Sequence, residues 1–105
     1  MMESQQLKEI VARIIEVYEP EKIILFGSYA NGTANESSDI DLLLVKQTKE
    51  VPVNRAAVVR QSLRGFLFPL DILVYTPEEI ENSKATKFSF VSQVLKSGKI
   101  IYERS

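Results

Sequence analysis

Asp39 and Asp41 stand two residues apart, directly ahead of the apolar run Leu42-Leu43-Leu44-Val45. In a strand, residues two apart share a face, so these carboxylates project side by side. Adjacent carboxylates repel, and one is driven toward its protonated form unless a cation lies between them. A divalent cation removes the conflict. Hard oxygen donors select Mg²⁺ or Mn²⁺, and Mg²⁺ commonly takes one or two protein carboxylates together with substrate phosphates. The spacing alone also fits a strand mouth whose two acids are simply hydrated. Asp71 opens a similar run, Asp71-Ile72-Leu73-Val74, and Leu70 precedes it. It is expected as an acid inside an apolar strand, where a lone carboxylate is costly and takes a cation or donor partner. A hydrogen-bonded strand-end acid is the other reading of Asp71. If the two strands are neighbours, Asp39, Asp41 and Asp71 converge. Three carboxylates can hold two metal ions about 3.5–4 Å apart, the arrangement that clamps both oxygens in phosphoryl or nucleotidyl transfer. Upstream, Gly27-Ser28 follows a short apolar run. Glycine allows close backbone approach, exposed N–H groups in such a turn favour anions, and Ser28 adds a hydroxyl donor.

What the chain lacks narrows the chemistry further. None of its 105 residues is cysteine or histidine. That excludes disulfides, thiol nucleophiles, thiolate or imidazole metal sites and the Ser-His-Asp triad. Carboxylates, hydroxyls, Lys and Arg remain. Lys plus Arg number 13 against 14 Asp plus Glu, a net charge of −1. A dedicated duplex-binding domain carries a basic excess, so direct nucleic-acid binding is not expected. The longest apolar runs, such as residues 23–26 and 42–45, fall far short of the roughly 20 residues of a membrane span. Residues 1–6 are polar and lack the apolar core of a signal peptide, which makes a cytoplasmic protein the default expectation. The apolar content of 45% suffices for a core, and the length predicts a single domain.

The elements that must position these residues are legible from periodicity. Leu7, Ile10, Val11, Ile14, Ile15 and Tyr18 recur at steps of three and four, predicting a helix over 4–18 capped by Ser4 and closed before Pro20. Residues 22–26 read as a strand, 28–38 as a turn and loop, and 39–45 as a second, largely buried strand. Residues 54–66 read as a helix with Val58, Val59, Leu63 and Phe66 on one side, and Arg55, Arg60 and Arg64 elsewhere. Gly65 weakens its end and Pro69 finishes it. Residues 70–75 form a third strand. Thr76, Pro77 and Glu79 make a capping box with proline at the first helical position. A last helix over 86–97 ends at Gly98 as its C-terminal cap, and 99–103 is a closing strand. The pattern is an α/β (α+β) sheet flanked by helices. It is mixed, because 28–38 is short for a helical crossover.

Taken together, Phe26-Gly27-Ser28, then Ala30, Gly32 and Thr33, then Ser38-Asp39-Ile40-Asp41-Leu42 give the pattern Gly-Ser-x(10)-Asp-x-Asp. This resembles the signature of minimal nucleotidyltransferases within the DNA polymerase β-like superfamily, and the resemblance runs from the leading helix to the third-strand acid. It implies the polymerase β-like fold, a small mixed sheet with flanking helices. By position it implies that Gly27 and Ser28 grip the nucleoside triphosphate. Asp39 and Asp41 would bind the divalent metals. Asp71 would complete the metal site and help deprotonate the acceptor hydroxyl. Two Mg²⁺ ions, or Mn²⁺, are the implied cofactors and ATP the implied substrate. One departure stands out: relatives often read Ala-Arg-Gly where this chain reads Ala30-Asn31-Gly32. The lost charge has four candidate substitutes, Arg55, Arg60, Arg64 and Lys46, each of which also reads as a solvated surface residue.

Larger relatives carry a further domain for the acceptor, whereas this chain ends soon after its core and has no basic tail for a polymer. The expected acceptor is therefore supplied by a partner protein. The chain resembles the antitoxin half of HEPN–MNT toxin–antitoxin pairs, which implies transfer of AMP to a tyrosine of a HEPN ribonuclease toxin within a hetero-oligomer. A non-catalytic antitoxin that covers its partner, or an aminoglycoside-modifying subunit, are the alternatives. Phe88 and Phe90 bear on partner contacts. A regular helix through both sends them to different sides, leaving one free for a partner, although burial of both between helix and sheet edge is also open.

Overall fold

The computed structural model describes residues 4–35 and 38–104. The apolar stripe read from the N-terminal segment forms helix α1 (Ser4–Tyr18), and Ile10, Ile14 and Tyr18 of that stripe are buried. The expected Ser4 cap concerns a side chain outside the described ones. Strand β1 (Lys22–Phe26) follows and runs into a single helical turn, α2 (Ser28–Asn31), where a plain loop was expected. One turn of small and polar residues is too short to show a periodicity, but it is closed by Ala30 and Asn31 N–H donating to the Gly27 carbonyl. Gly32 ends it in the left-handed region at φ 82°. Of the expected loop over 28–38, Glu36 and Ser37 lie outside the described residues.

Strand β2 (Ile40–Val45) begins one residue later than expected, leaving Asp39 at its mouth. Helix α3 (Pro52–Ser62) carries the chain to strand β3 (Leu70–Tyr75). It starts two residues before and stops four residues before the expected bounds. Pro52 pre-sets the first-turn dihedral at one end, and Gly65, at φ 97°, sits in the turn after the other. Of its expected apolar stripe, Val59 and Leu63 are buried, while Val58 is 39% exposed.

The capping box at Thr76 is present, with Thr76 Oγ1 accepting from Glu79 N–H, and it opens helix α4 (Pro77–Lys84). Helix α5 (Phe90–Ser97) starts later than expected because Ser89 Oγ accepts from Ser92 N–H and caps it there. Strand β4 (Lys99–Glu103) closes the chain. Gly98 is the C-terminal cap of α5, as expected, its N–H donating to the Val94 carbonyl. Its φ of −80° is ordinary, and its need for glycine is packing. A Cβ there would stand 2.6 Å from the Val94 carbonyl oxygen and 2.8 Å from Ile24 Cγ2.

The sheet is mixed, in the order β3-β2-β1-β4. β1 pairs antiparallel with β2 and with β4, while β2 and β3 are parallel, joined through α3 as such pairs require. Alternation along the central strands sends Leu25, Leu42 and Leu44 toward Ile10, Ile14 and Val59 of α1 and α3. Ile24, Leu43 and Val45 pack on Ile80, Val91 and Val94 of α4 and α5. The interior strand β2 is therefore buried on both faces, as its apolar run requires. Among the described residues, no helix is long and apolar enough to cross a membrane.

Candidate active site

The register of the sheet brings the acids to one end. Asp41 is the direct neighbour of Phe26, the last residue of β1, on one side. On the other it is the direct neighbour of Asp71 in the parallel strand. Asp39 stands two residues ahead at the mouth of β2. All three gather where β1 ends and β2 and β3 begin. α2 packs against β1 and β2 at the same place.

Gly27 turns the chain from β1 into α2 with φ 75° and ψ −156°, a conformation open only to glycine. The reason lies directly across the strand pair. A Cβ built on Gly27 would run into the Asp41 carboxylate, so the glycine makes the space this side chain occupies. Sequence reasoning valued Gly27 for phosphate approach; its closest neighbour is the acid itself. Ser28 follows, half-buried, and among the described residues its hydroxyl has no hydrogen-bond partner.

The acids differ in setting. Asp41 is half-buried, and burial raises its proton affinity above the ordinary aspartate value. The charge of Asp71, and then that of Asp39, push in the same direction. Asp39 is exposed. Asp71 was expected inside an apolar strand, but its side chain is 52% exposed because β3 is an edge strand. It does have a cation partner: Arg60 Nη2 on α3 lies 3.9 Å from Asp71 Oδ1.

The four candidate cations now separate. Arg55 is buried and committed to structure. Its Nη1 donates to Glu79 Oε1 at 2.7 Å and to the Val74 carbonyl, and its Nε donates to the Glu50 carbonyl. Lys46 is held by the carbonyls of Tyr18 and Glu19 at the opposite end of β2, about 17 Å along the strand from Asp41. Arg64 is exposed. Arg60 alone of the four ion-pairs with one of the acids. Asn31 turns its side chain inward on its own turn, its Oδ1 accepting from Thr33 Oγ1 at 2.6 Å and from Thr33 N–H.

These residues fit a hard divalent cation by donor type, all oxygen, and by the mutual repulsion that an ion would relieve. Among the described residues, no three such side chains are drawn together closely enough to hold an ion between them. The arrangement is an open rim. It suits a cation that takes one or two carboxylates from protein and the rest of its ligands from phosphate and water. A cleft of about 280 Å³ does lie at the other end of the sheet, lined by Lys22, Val45 and Glu103. Four of its charged groups pair, Lys22 with Glu103 and Lys84 with Glu81, and Glu21 accepts from Gln47 N–H. The acids mark the site better than volume does.

Residues 5–105 match the family model described as polymerase beta, nucleotidyltransferase. The chain belongs to this family. Three proteins of Methanocaldococcus jannaschii, all provisionally named protein adenylyltransferases, are similar to this nucleotidyltransferase domain. One is 35% identical across 97% of this chain and 100% of its own length. The second is 34% identical over 78% of the chain, which spans 58% of that relative, and the third is 34% identical over 70% of the chain and 71% of its own length. Among solved structures, a provisionally named nucleotidyltransferase from Sulfolobus solfataricus superposes with a TM-score of 0.67 at 24% identity, covering 95% of this chain and 79% of that one. A toxin–antitoxin structure solved with AMP-PNP superposes with a TM-score of 0.61 at 18% identity, covering 99% of this chain and 76% of that one. These two likenesses establish the shared nucleotidyltransferase fold.

Proposed function

We propose that residues 1–105 act as one minimal nucleotidyltransferase domain that transfers AMP from ATP to a tyrosine hydroxyl of a HEPN ribonuclease toxin, silencing it. The observation that carries this reading is the meeting of the Gly27-Ser28 turn with the Asp41–Asp71 register pair at one end of the sheet. The names of the three archaeal relatives support protein as the acceptor class. The AMP-PNP and the toxin–antitoxin pairing of a structural neighbour are consistent with a triphosphate substrate and a toxin partner.

In this reading Ser28 donates its free hydroxyl to the triphosphate, and the turn after Gly27 lets phosphate approach the backbone. Asp39, Asp41 and Asp71 would hold Mg²⁺, or Mn²⁺, as two ions, together with phosphate and water ligands. The metal would supply neutralisation of the negative charge that transfer develops. The acceptor hydroxyl oxygen forms a bond to the α-phosphorus, the α-phosphorus–oxygen bond toward the β-phosphate breaks, and pyrophosphate departs. The hydroxyl proton passes to a carboxylate, a role we assign to Asp71, whose exposure leaves it open to an incoming acceptor. A second reading, a binding antitoxin without catalysis, is favoured by one feature: Asn31 spends its side chain on Thr33 and offers no charge.

Intact-protein mass spectrometry of the genomically adjacent protein, incubated with this chain, ATP and Mg²⁺, separates the two. A mass step of one or more AMP groups that disappears with Asp39→Ala, Asp41→Ala is the expected result. Neutralisation retained in that double variant, with no mass step from either protein, would replace the enzyme by the binding antitoxin.

A further inference from the structure

We propose that Arg60 binds the β- and γ-phosphates of the incoming nucleotide, supplying from α3 the positive charge that Asn31 does not; this rests on the nucleotidyl-transfer reading above. Its Nη2 lies 3.9 Å from Asp71 Oδ1, so its guanidinium already stands at the rim where the acids gather. Other cations are engaged elsewhere. Arg55 is locked by Glu79 and two carbonyls. Lys46 and Lys22 are engaged at the far end of the sheet. Arg13 donates to the Ser62 carbonyl and lies over the Phe66 ring. Lys84 pairs with Glu81 on its own helix.

The looseness of the Arg60–Asp71 pair suits the role. Both side chains are more than half exposed, at 57% and 52%. Exposed pairs of this kind are weak and exchange readily. Entry of a triphosphate with its metal offers each partner a stronger one: Asp71 a divalent cation, Arg60 a phosphate. The guanidinium fork matches phosphate oxygens in a bidentate geometry that an ammonium lacks. Before the nucleotide arrives, Arg60 offsets one of three crowded negative charges. Afterwards it offsets charge developing on the departing pyrophosphate.

Titration calorimetry with Mg²⁺ tests this without relying on turnover. AMP-PNP carries the β- and γ-phosphates, and AMP lacks them. Arg60→Ala is expected to weaken AMP-PNP binding about tenfold or more, a charge-assisted hydrogen bond's worth, and to leave AMP binding unchanged. Arg60→Lys should fall between. Arg104→Ala removes the same charge at the opposite end of the sheet and should bind as the parent does. If Arg60→Ala binds AMP-PNP normally, the proposal is overturned. Equal loss of AMP and AMP-PNP would also overturn it, because Arg60 would then only position Asp71. Failure of the unmodified chain to bind AMP-PNP at all would overturn the nucleotidyl-transfer reading itself, and this proposal with it.

Discussion

Asp41 sits half-buried over Gly27 with two further carboxylates nearby, and among the described residues it has no hydrogen-bond partner to offset its charge. Its proton is held more tightly in the folded chain than in the unfolded one. The sign follows from linkage: the metal-free protein loses stability as pH rises above the ordinary aspartate value, because the folded state resists the ionisation that the unfolded state accepts. Asp41→Asn removes this conflict at nearly constant shape. The variant is expected to melt a few degrees higher than the parent in EDTA at pH 7, while losing transfer activity. About 1 kcal/mol moves Tm by roughly 4–8 °C in a domain of this size. Calorimetric melts of both proteins check it, and an unchanged or lower Tm would mean that the carboxylate supports the fold. Gly27→Ala acts at the same place with the opposite sign. It puts a methyl group where the Asp41 carboxylate lies and asks alanine to hold φ 75°. We expect a loss of about 2 kcal/mol or more in urea unfolding, with AMP transfer abolished. Transfer retained in a stable Gly27→Ala protein would show that the turn is not part of the site.

At the scale of elements, Arg55 and Glu79 pin α3 to the start of α4. Arg55 Nη1 donates to Glu79 Oε1, and that same oxygen accepts from Thr76 N–H, completing the capping box. The hydrogen bond from Arg55, the largest contribution, and those from Thr76 hold the Glu79 carboxyl below its usual range. A depressed folded value means stability that is fully present above the unfolded value, near 4.3, and lost as pH falls through the folded one. Glu79→Gln should therefore flatten the acid limb of a plot of Tm against pH between about 5 and 3, where the parent declines. Parallel curves would exclude Glu79 as a contributor. The pin also marks what the sequence could and could not show. The capping box at Thr76 and the strands at 22–26 and 70–75 are local features, written in adjacent residues, and the structure has them at those positions. Arg55 read as a surface cation because nothing local signals that a residue 24 positions away receives it. Asp71 read as buried because an edge strand and a central strand share the same apolar spelling. Helix α3 has Val53 and Val58 exposed beside buried Val59, which blurs the stripe, although Pro52 at its first turn was a readable start. The Gly-Ser and Asp-x-Asp pieces were legible. Their meeting depended on the pairing of β1 with β2 and of β2 with β3, which only the short 28–38 connection and the intervening helix could hint at.

Across the whole molecule, the sheet divides labour between its ends. The far end carries self-paired charges around Lys22 and Glu103. The near end collects Gly27, Asp39, Asp41 and Asp71, and is flanked by an aromatic pair, Phe26 and Phe90, with ring centroids 5.6 Å apart at 83°. Phe26 is the cross-strand neighbour of Asp41, so this pair joins the acid rim to the start of α5. Because α5 begins only at Phe90, Phe88 falls in the preceding turn. The two rings diverge: Phe90 packs on Phe26, and Phe88 is 78% exposed with Lys87 Nζ 5.6 Å from its ring centroid. An exposed aromatic beside a cation, two residues along the chain from Phe90, is the kind of anchor on which the proposed protein acceptor would dock, since aromatic anchors dominate binding energy at interfaces. Phe88→Ser should leave Tm within about a degree, as surface substitutions usually do. It should leave AMP-PNP affinity unchanged and weaken binding of the proposed protein acceptor about tenfold or more. In the transfer assay this appears as a raised KM for the acceptor protein with kcat preserved at saturation. Unchanged partner affinity would move the docking surface away from Phe88, whereas a fall in kcat with unchanged KM would place Phe88 in the alignment of the acceptor hydroxyl rather than in its capture.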